Sequence, residues 1–386
     1  SDIRNKDKTM LHISSQFDSG AIDVIQAETP DNIRLNLKPD NASEFMQWFH
    51  FRLSGVKGEP CVIRIENAWQ SAYPKAWAGY QAVASYDREH WFRVATDFDG
   101  QILTIRHTPE HEVMWLAYFE PYSWEQHQEL IGRAMMYSDA VSVECLGITP
   151  DGHTLDLVRV GQPAQGKKNI WITARQHPGE SMAEWFVEGV LDALLDVQHG
   201  VSRELLKQFV FYIVPNMNPD GSVRGNLRTN AKGANLNREW LTPTSELSPE
   251  VYWVRGKMLQ TGVDAFFDIH GDEEIPHVFV AGCEYNRSFS AKQQQLQDAF
   301  KTIWTAITPD FQTVHGYTNK TFGDENLLKL ASNWVGDHFD CLAFTIEMPF
   351  KDTADTPVPS VGWNGVRSKQ LGQNFLTAIY QIRGMI

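Results

Sequence analysis

The sequence predicts two domains: an N-terminal antiparallel β-sandwich, followed by an α/β domain whose mixed, largely parallel sheet is flanked by helices. Three observations predict this division. The chain has 386 residues, which is more than one hydrophobic core usually holds. Its first third alternates short apolar runs with turn residues, whereas the remainder combines near-continuous apolar runs with helical patterns. We place the boundary after residue 122, so that the domains cover 1–122 and 123–386.

The N-terminal third contains short runs in which apolar and polar residues alternate. Turn signals rich in Gly and Pro separate them, for example at residues 54–55 and 57–60. Strands with this spacing are typical of an antiparallel sandwich. The predicted strands cover residues 22–25, 33–37, 48–53, 61–65 and 112–119.

The pattern changes after residue 122. Ser123 and Gln126 form a capping-box pattern, which predicts a helix over 123–136. Five near-continuous apolar runs then predict strands that are buried on both faces, with helical patterns between several of them. These strands cover residues 170–174, 209–214, 265–269, 278–281 and 342–346, and the helices cover 181–197 and 249–261.

Composition excludes several classes of protein. The formal charge of −14 argues against a nucleic-acid partner, because phosphate binding needs clustered Lys and Arg. No apolar run approaches the roughly 20 residues of a membrane-spanning helix, and the start of the chain carries no signal-peptide pattern. The four cysteines form no Cys-x-x-Cys pair, so we expect buried thiols. These features predict a cytoplasmic protein, or a periplasmic one if a leader has been removed; the oligomeric state stays open.

Four polar residues lie where the predicted sheet would carry a metal site. His177 and Glu180 belong to a His-Pro-Gly-Glu turn between a strand and a helix, His270 ends one apolar run, and Glu347 interrupts another. The carboxyl ends of strands in an open α/β sheet are where ligands bind. Two imidazoles and a carboxylate supply three zinc ligands and leave a fourth position for water. The sequence therefore predicts one zinc ion per chain on His177, Glu180 and His270, with Glu347 as the base that deprotonates water.

Each of these residues also has a purely structural interpretation. The turn at 177–180 could be a polar turn with a helix-capping acid, His270 a hydrogen-bonded core residue, and Glu347 the partner of a structural salt bridge. A polar loop follows the predicted strand at residues 209–214 and contains several candidate anion-binding side chains. It could be a solvated basic loop, or it could hold a substrate's terminal carboxylate, since guanidinium groups bind carboxylates bidentately. Its candidates are Arg224, Arg228, Asn237 and Arg238.

With these motifs the chain resembles the zinc metallocarboxypeptidases of peptidase family M14, and within them a bacterial member of the cytosolic carboxypeptidase branch. The motifs occur in family order over most of residues 140–380, and residues 117–123 resemble the linker between this branch's N-terminal β-domain and its catalytic domain. The matching motifs are His-Pro-Gly-Glu at 177–180, Asn-Pro-Asp-Gly at 218–221, Asn-Leu-Asn-Arg at 235–238, the strand that ends at His270, and Thr-Ile-Glu at 345–347.

The resemblance implies a role for each matching residue. Tyr317 is a candidate for the tyrosine that pancreatic relatives swing over the substrate. The implied roles are zinc binding by His177, Glu180 and His270; general base and proton shuttle by Glu347; polarisation of the scissile carbonyl and stabilisation of the oxyanion by Arg228; and binding of the terminal carboxylate by Asn237 and Arg238.

Two positions differ from the pancreatic-type pattern. Gly179 stands where those relatives have an Arg, and Asn235 stands where they have an Asp that orients a zinc-bound imidazole. The Asn235 carbonyl can still accept a hydrogen bond but gives the ligand less negative charge, so we predict a working site in which metal affinity can be lower. Many eukaryotic members of the branch also have Asp at this position, so their preference for C-terminal glutamate does not simply transfer.

The sequence thus predicts a zinc carboxypeptidase that removes a C-terminal residue, with an acidic one as the candidate, from a peptide or side-chain-linked chain. Its partner would be a peptide or protein C-terminus. Two alternatives use the same scaffold: an aspartoacylase-like amidohydrolase of small N-acyl amino acids, and an amidase of cell-wall peptides. A third is a recognition protein that binds zinc and acidic tails without cutting them. Glu347 argues against this third alternative, since a binder needs no base.

Aromatic residues cluster around Pro74 in the N-terminal domain. Trp69, Tyr73, Trp77 and Tyr80 could fill its core or line a binding surface. Aromatic side chains fill cores more often, and exposed aromatic patches are uncommon unless they have a function. We therefore favour the core interpretation.

Overall fold

The structure is a computed structural model that describes residues 10–386. Short strands make up its N-terminal part, and strands alternate with helices in the remainder. The strands are β1 (His12–Ser14), β2 (Asp23–Thr29), β3 (Asn32–Asn36), β4 (His50–Ser54), β5 (Cys61–Ile65), β6 (Val83–Ser85), β7 (Phe92–Arg93), β8 (Ala95–Phe98), β9 (Leu103–His107), β10 (Val113–Ala117), β11 (Val141–Ile148), β12 (Thr154–Val160), β13 (Lys168–Ala174), β14 (Phe209–Val214), β15 (Ala265–Asp272), β16 (Phe279–Ala281) and β17 (Leu342–Pro349). The α-helices are α1 (Trp124–Tyr137), α2 (Met182–Leu194), α3 (Gly200–Gln208), α4 (Pro219–Arg224), α5 (Pro249–Thr261), α6 (Ala291–Ile307), α7 (Ala331–Phe339) and α8 (Gly365–Ile382).

The N-terminal part is a sandwich of two five-stranded sheets, with strand orders β1-β4-β10-β6-β7 and β2-β3-β5-β9-β8. Alternate side chains of both sheets, such as Ile63 of β5 and Leu116 of β10, enter one hydrophobic core. The predicted sandwich is confirmed, with one difference: β3 and β5 pair in parallel. The five predicted strands correspond to β2, β3, β4, β5 and β10, whereas β1 and β6 to β9 were not predicted.

A seven-stranded mixed sheet, ordered β11-β12-β14-β13-β15-β17-β16, forms the centre of the second part. Its four central strands run parallel, and antiparallel pairs extend it at both ends. Neighbouring residues of β13 face opposite cores: Ile172 packs in the core that contains α2, α6 and α8, and Trp171 in the core that contains α5 and α7. Burial on both faces explains why these strands are continuously apolar. The mixed sheet flanked by helices is confirmed; the β11–β12 hairpin was not predicted.

The start of helix α1 follows the predicted capping chemistry. The Ser123 side chain accepts a hydrogen bond from the Gln126 N–H, and the Gln126 side chain accepts one from the Ser123 N–H, so α1 begins with a complete capping box. Helix α5 has the predicted bounds, whereas α2 ends three residues before its predicted end. Three of the four cysteines are buried as expected, but Cys145 on β11 is exposed. The expectation of a buried thiol is therefore wrong there, because β11 is the edge strand of its sheet.

The parallel strands β13, β15 and β17 bring their carboxyl ends to one edge of the sheet. His270 on β15 lies directly opposite Glu347 on β17 in the strand register, and β15 continues two residues beyond its expected end at His270. The sandwich packs beside this edge. Its half-buried Arg93 donates hydrogen bonds to the carbonyl oxygens of Phe350 and Trp363. The domain boundary after residue 122 stays a prediction. None of the helices within residues 10–386 has the length and apolar character needed to cross a membrane.

Candidate active site

Two imidazoles and one carboxylate meet at the edge of the central sheet. His177 and Glu180 lie in the turn between β13 and α2, and His270 lies on β15. One ligand atom from each of the three lies within 4.8 Å of the other two. The Nδ1 atom of His177 is 2.6 Å from Oε2 of Glu180, and Nδ1 of His270 is 3.4 Å from Oε1 of the same carboxylate. The structure therefore brings together the three predicted ligands, all of them buried.

The turn is compact because it abuts the loop after α4. The Gly179 N–H donates a hydrogen bond to the carbonyl oxygen of Leu227 at 2.9 Å. A Cβ atom at position 179 would lie 3.1 Å from that same oxygen, closer than ordinary van der Waals contact. Glycine at this position thus allows the close approach of the two backbone segments.

Both imidazoles are oriented by acceptors on the side facing away from Glu180. The Nε2–H of His177 donates to Oδ1 of Asn235 at 2.8 Å, and the Nε2–H of His270 donates to Oδ2 of Asp268 at 2.5 Å. These bonds assign the protons to Nε2 and leave both Nδ1 atoms with a lone pair directed toward Glu180.

The arrangement fits a zinc ion. His177 Nδ1 and Glu180 Oε2 are buried, and neither has a hydrogen-bond partner in the part of the chain that the structure describes. Buried polar atoms without partners are costly unless a ligand satisfies them. Two imidazole nitrogens and a carboxylate oxygen, with acceptors behind the imidazoles, form a donor set of the kind that binds catalytic zinc. Burial, together with the charge of Arg228, lowers the pKa of His177 to about 4, so this imidazole is neutral at pH 7, as a metal ligand must be.

Glu347 lies beside the ligand set on β17. Its Oε1 atom is 2.9 Å from the hydroxyl of Tyr317, whereas its buried Oε2 has no hydrogen-bond partner among residues 10–386. Burial raises the pKa of Glu347 well above its usual value, and the neighbouring Glu180 and Asp272 carboxylates add to this effect. The alternative of a structural salt bridge is not supported, since no ion pair joins Glu347 to a described Arg or Lys. The raised pKa favours a carboxyl group that holds a proton once it has accepted one.

Three of the four predicted anion-binding residues line the same pocket, which has a volume of about 350 Å³. The guanidinium carbon of Arg228 lies 5.5 Å from the ring centroid of Phe45 and 5.7 Å from that of Tyr73. The side-chain oxygen of Asn237 accepts the N–H of Ala331 at 2.9 Å, which leaves its NH₂ group available to a ligand. Arg238 is exposed at the pocket and donates to the Asn237 carbonyl oxygen at 2.8 Å. Arg224 does not line this pocket, because its guanidinium forms an ion pair with Asp151.

Tyr317 lies at the rim of the pocket on the loop between α6 and α7. Its hydroxyl is 2.9 Å from Oε1 of Glu347 and 3.0 Å from Oδ2 of Asp272, and 44% of the residue is exposed. The ring packs edge-on against Phe279 at 5.0 Å. This placement puts the candidate tyrosine next to the candidate base; its role in covering the substrate stays a prediction.

Sequence reasoning missed Asp268, which orients His270. The two residues are separated by two positions on β15, so their side chains share a face of the strand, and that spacing could have identified Asp268. The Gln176 side chain donates to Asp268 at 2.6 Å, and the Trp240 indole donates to the side-chain oxygen (Oε1) of Gln176 at 2.8 Å. Asp268 is thereby held from two sides, by Gln176 and by the Thr173 hydroxyl at 2.8 Å.

The aromatic cluster of the N-terminal domain divides between core and site. Trp77 and Tyr80 are fully buried, and Trp69 is half-exposed. Tyr73 lines the active-site pocket, next to Arg228. The core interpretation is therefore confirmed for Trp77 and Tyr80 and wrong for Trp69, whereas Tyr73 packs at the edge of the core and also lines the pocket. No local pattern distinguishes these residues, because the position of Tyr73 depends on how the sandwich packs against the second part.

The central sheet, with a candidate metal-ligand set and a pocket that contains Arg228 and Arg238 at one edge, defines a metallohydrolase of the carboxypeptidase type. The family model described as zinc carboxypeptidase matches residues 127–363. The chain belongs to the zinc carboxypeptidase family. A second model, described as the cytosolic carboxypeptidase N-terminal domain, matches residues 13–119 and places the chain in that branch. The resemblance drawn from the motifs is confirmed, and the family implies zinc as the metal.

Solved structures and a curated relative agree with this assignment. The metallo-carboxypeptidase of Burkholderia cenocepacia is 52% identical, with a TM-score of 0.95 over 97% of this chain and 100% of its own. The metallo-carboxypeptidase of Pseudomonas aeruginosa is 47% identical, with a TM-score of 0.92 over 97% of this chain and 99% of its own. Mouse cytosolic carboxypeptidase 4 is 28% identical over 71% of this chain, which spans 29% of that relative's length.

Proposed function

We propose that this protein is a zinc-dependent carboxypeptidase that hydrolyses the last peptide bond, or a side-chain-linked bond, of a peptide with a free carboxylate. One observation carries the proposal: His177, Glu180 and His270 bring three ligand atoms together, two of them buried without a partner, at a pocket that also holds Glu347, Arg228 and Arg238. When bound by these three ligands, zinc supplies a Lewis acid that lowers the pKa of water and polarises a carbonyl group.

Glu347 acts as the base and proton shuttle in this proposal. Its Oε2 atom takes the proton of the attacking water and later delivers it to the leaving amine. A raised pKa suits this double role, because the carboxyl group must hold the proton between the two transfers. No covalent acyl-enzyme is expected, since water is the nucleophile.

The basic residues of the pocket have separate tasks. Arg228 places positive charge where the scissile carbonyl becomes an oxyanion, and preorganised charge at such a point is a large part of catalysis. The NH₂ group of Asn237 and the guanidinium of Arg238 bind the terminal carboxylate. The predicted substrate is therefore a peptide or protein C-terminus; the cytoplasmic location stays a prediction.

Substitution of Glu347→Gln tests the mechanism. The variant should bind as much zinc as the wild type, while kcat falls by about 10²–10⁴-fold because the proton acceptor is lost. Metal analysis and a C-terminal peptide assay measure both quantities. Glu188→Gln, which alters a buried carboxylate of α2, is the control and should keep its activity. Unchanged hydrolysis by Glu347→Gln would exclude Glu347 as the base, and full activity after complete zinc removal would exclude the metal mechanism.

The same assay separates the alternatives. Small N-acyl amino acids test an aspartoacylase-like activity, and cell-wall peptides test an amidase activity. Both present a carboxylate that Arg238 could bind, so the pocket alone does not distinguish them from a peptide. Zinc binding without turnover of any of these substrates would favour the recognition protein.

Lys320 supports a preference for an acidic last residue. Three cations line the pocket, Arg228, Arg238 and Lys320. The first two are assigned to the oxyanion and the terminal carboxylate, and Lys320 makes no ion pair with any acid in the described part of the chain. It is therefore available to a side-chain carboxylate of the substrate. Burial lowers the pKa of Lys320, while Glu284 and Glu347 oppose this effect.

A basic last residue is the second candidate. Asp272 and Glu273 line the same pocket, and the solved Pseudomonas aeruginosa enzyme is in complex with (2-guanidinoethylmercapto)succinic acid, a compound with a guanidine group. Peptides that differ only in a terminal Glu, Lys or Phe distinguish the two candidates. For an acidic preference, Lys320→Met should lower kcat/KM for the Glu peptide about tenfold relative to the Phe peptide, since a charged hydrogen bond contributes about 1.5–3 kcal/mol. The exposed Lys329→Met is the control, and a preference for Lys in the wild type would favour the second candidate.

A further inference from the structure

One carboxylate of the N-terminal sandwich binds the backbone of the loop that carries Arg228. Asp40 lies between β3 and β4, and its side chain is buried. Its Oδ1 accepts the Leu227 N–H at 2.6 Å. Its Oδ2 accepts the N–H of Arg228 at 2.8 Å and both the N–H and the hydroxyl of Thr229 at 2.9 Å. Four donors from three consecutive residues thus converge on one side chain that is distant in sequence.

These hydrogen bonds account for a buried carboxylate without a cationic partner. No ion pair joins Asp40 to a Lys, Arg or His within residues 10–386, and an isolated buried charge is costly unless hydrogen bonds compensate it. Burial raises the pKa of Asp40, while the three backbone N–H groups lower it and so stabilise the ionised form. The cluster of N–H groups is an anion-binding nest that the protein fills with its own carboxylate.

The same segment of the sandwich contacts the loop at further points. The Asn41 side chain donates to the Ala231 carbonyl oxygen at 2.8 Å and accepts from the Asn226 side chain at 2.6 Å. Phe45 lies beside the Arg228 guanidinium. Backbone and side chain of the Arg228 region are therefore both held by residues 40–45.

We infer that Asp40 is a positioning residue for Arg228, so that the N-terminal sandwich completes the active site instead of being an independent appendage. The inference rests on the proposed role of Arg228 in stabilising the oxyanion. Asp40 contacts neither the predicted zinc ligands nor the pocket. It acts through the Arg228 backbone, where a displacement of about 1 Å can cost about 10²-fold in rate.

Asp40→Asn is the informative substitution because it preserves the size of the side chain. An amide has one acceptor atom and one donor group, so it cannot accept from Leu227 on one side and from Arg228 and Thr229 on the other. We expect kcat to fall about 10- to 100-fold, with KM changed less than about threefold because Asn237 and Arg238 still bind the terminal carboxylate. Zinc content should equal that of the wild type.

A double-mutant cycle with Arg228→Gln separates positioning from general stability. If Asp40 acts through Arg228, Asp40→Asn should lower kcat in the wild-type background and have little further effect in the Arg228→Gln background. If Asp40→Asn keeps the kcat of the wild type while Arg228→Gln loses activity, the inference about Asp40 is overturned but the proposed role of Arg228 is not. Additive losses in kcat would also overturn it. Wild-type kcat for Arg228→Gln would instead refute the proposed role of Arg228, and the inference with it.

Two further variants provide controls for folding. Lys351→Met removes hydrogen bonds to the carbonyl oxygens of Ala76 and Ala78 in the sandwich without touching the Arg228 loop. It should lower Tm and leave kcat unchanged.

Thr229→Val removes only the hydroxyl donor to Asp40, and kcat should fall about two- to fivefold, in proportion to one lost hydrogen bond. If Asp40→Asn does not fold, unchanged kcat in Thr229→Val would overturn the inference.

Discussion

At the scale of single residues, the two imidazoles of the metal site have acceptors of different charge. His177 donates to the neutral amide of Asn235, and His270 donates to the carboxylate of Asp268. The ligands themselves could be predicted from the sequence, because a His-Pro-Gly-Glu turn after a strand and polar residues within apolar runs are local signals. Of the two acceptors, Asn235 was implied by the family resemblance and by no local pattern, whereas Asp268 was missed although it lies two residues before His270 on the same strand.

We predict that Asn235 tunes the zinc affinity of the site through its hydrogen bond to His177. Asn235→Asp should raise zinc affinity about tenfold, because a carboxylate makes the imidazole a stronger donor to the metal. Asn235→Ala should lower it by about 10- to 100-fold. Competition with a coloured chelator measures both. The Asp variant can still accept the Asn237 N–H, which the Asn235 oxygen accepts at 3.2 Å, so the local turn is preserved. An Asp variant that released zinc more readily than the wild type would contradict this explanation.

At the scale of elements, the strands that could be predicted are those that are buried on both faces and therefore consist almost entirely of apolar residues. All five near-continuous apolar runs of the second part are strands, because both faces of that sheet are covered. Strands β7 and β8 were missed because they are short and partly exposed, with polar residues such as Arg93 and Asp97. The β11–β12 hairpin was missed for a related reason. Strand β11 is an edge strand with exposed positions, so its sequence lacks a clear strand pattern, and its pairing with β12 stabilises it.

The capping box of α1 makes a measurable contribution to stability. Ser123→Ala removes the acceptor of the Gln126 N–H and should lower the free energy of unfolding by about 1 kcal/mol. Gln126→Ala removes the reciprocal bond to the Ser123 N–H and should have a smaller effect in the same direction. Urea unfolding measures both. Gln128→Ala, at an exposed position inside the same helix, is the matched control and should cost nothing, because Ala favours helix. Equal losses for Gln126→Ala and Gln128→Ala would show that the cap contributes no stability.

At the scale of the whole molecule, polar side chains that are buried or half-buried join the sandwich to the rest of the protein. Arg93, Asp40 and Lys351 each bind backbone groups across this contact. Each part could be assigned a fold class from the sequence, because strand and helix periodicities are local. Their packing could not be predicted, since a side chain that binds a distant backbone group leaves no periodic signal. Asp40 illustrates this, because in the sequence it looks like part of an ordinary polar turn.

Glu120, at the junction of the two parts, makes the stability of the whole molecule depend on pH. Its Oε2 accepts the Gly365 N–H at 2.6 Å, and burial raises its pKa from 4.5 to about 7. A raised pKa means that the folded state binds the proton more tightly than the unfolded state. The contribution of Glu120 to stability is therefore complete below pH 4.5, declines between pH 4.5 and 7, and is absent at higher pH. The total decline is about 3 kcal/mol.

Glu120→Gln should remove this dependence, because the amide stays neutral and its carbonyl can still accept the Gly365 N–H. The free energy of unfolding of the variant, minus that of the wild type, should rise from pH 5 to pH 7 and level off by pH 8. Urea titrations at pH 5, 6, 7 and 8 measure the difference. Glu129→Gln, on the exposed face of α1, is the control for loss of a surface carboxylate. A difference that stayed constant across this range would mean that Glu120 is already ionised at pH 5 and that its hydrogen bond to Gly365 compensates its burial.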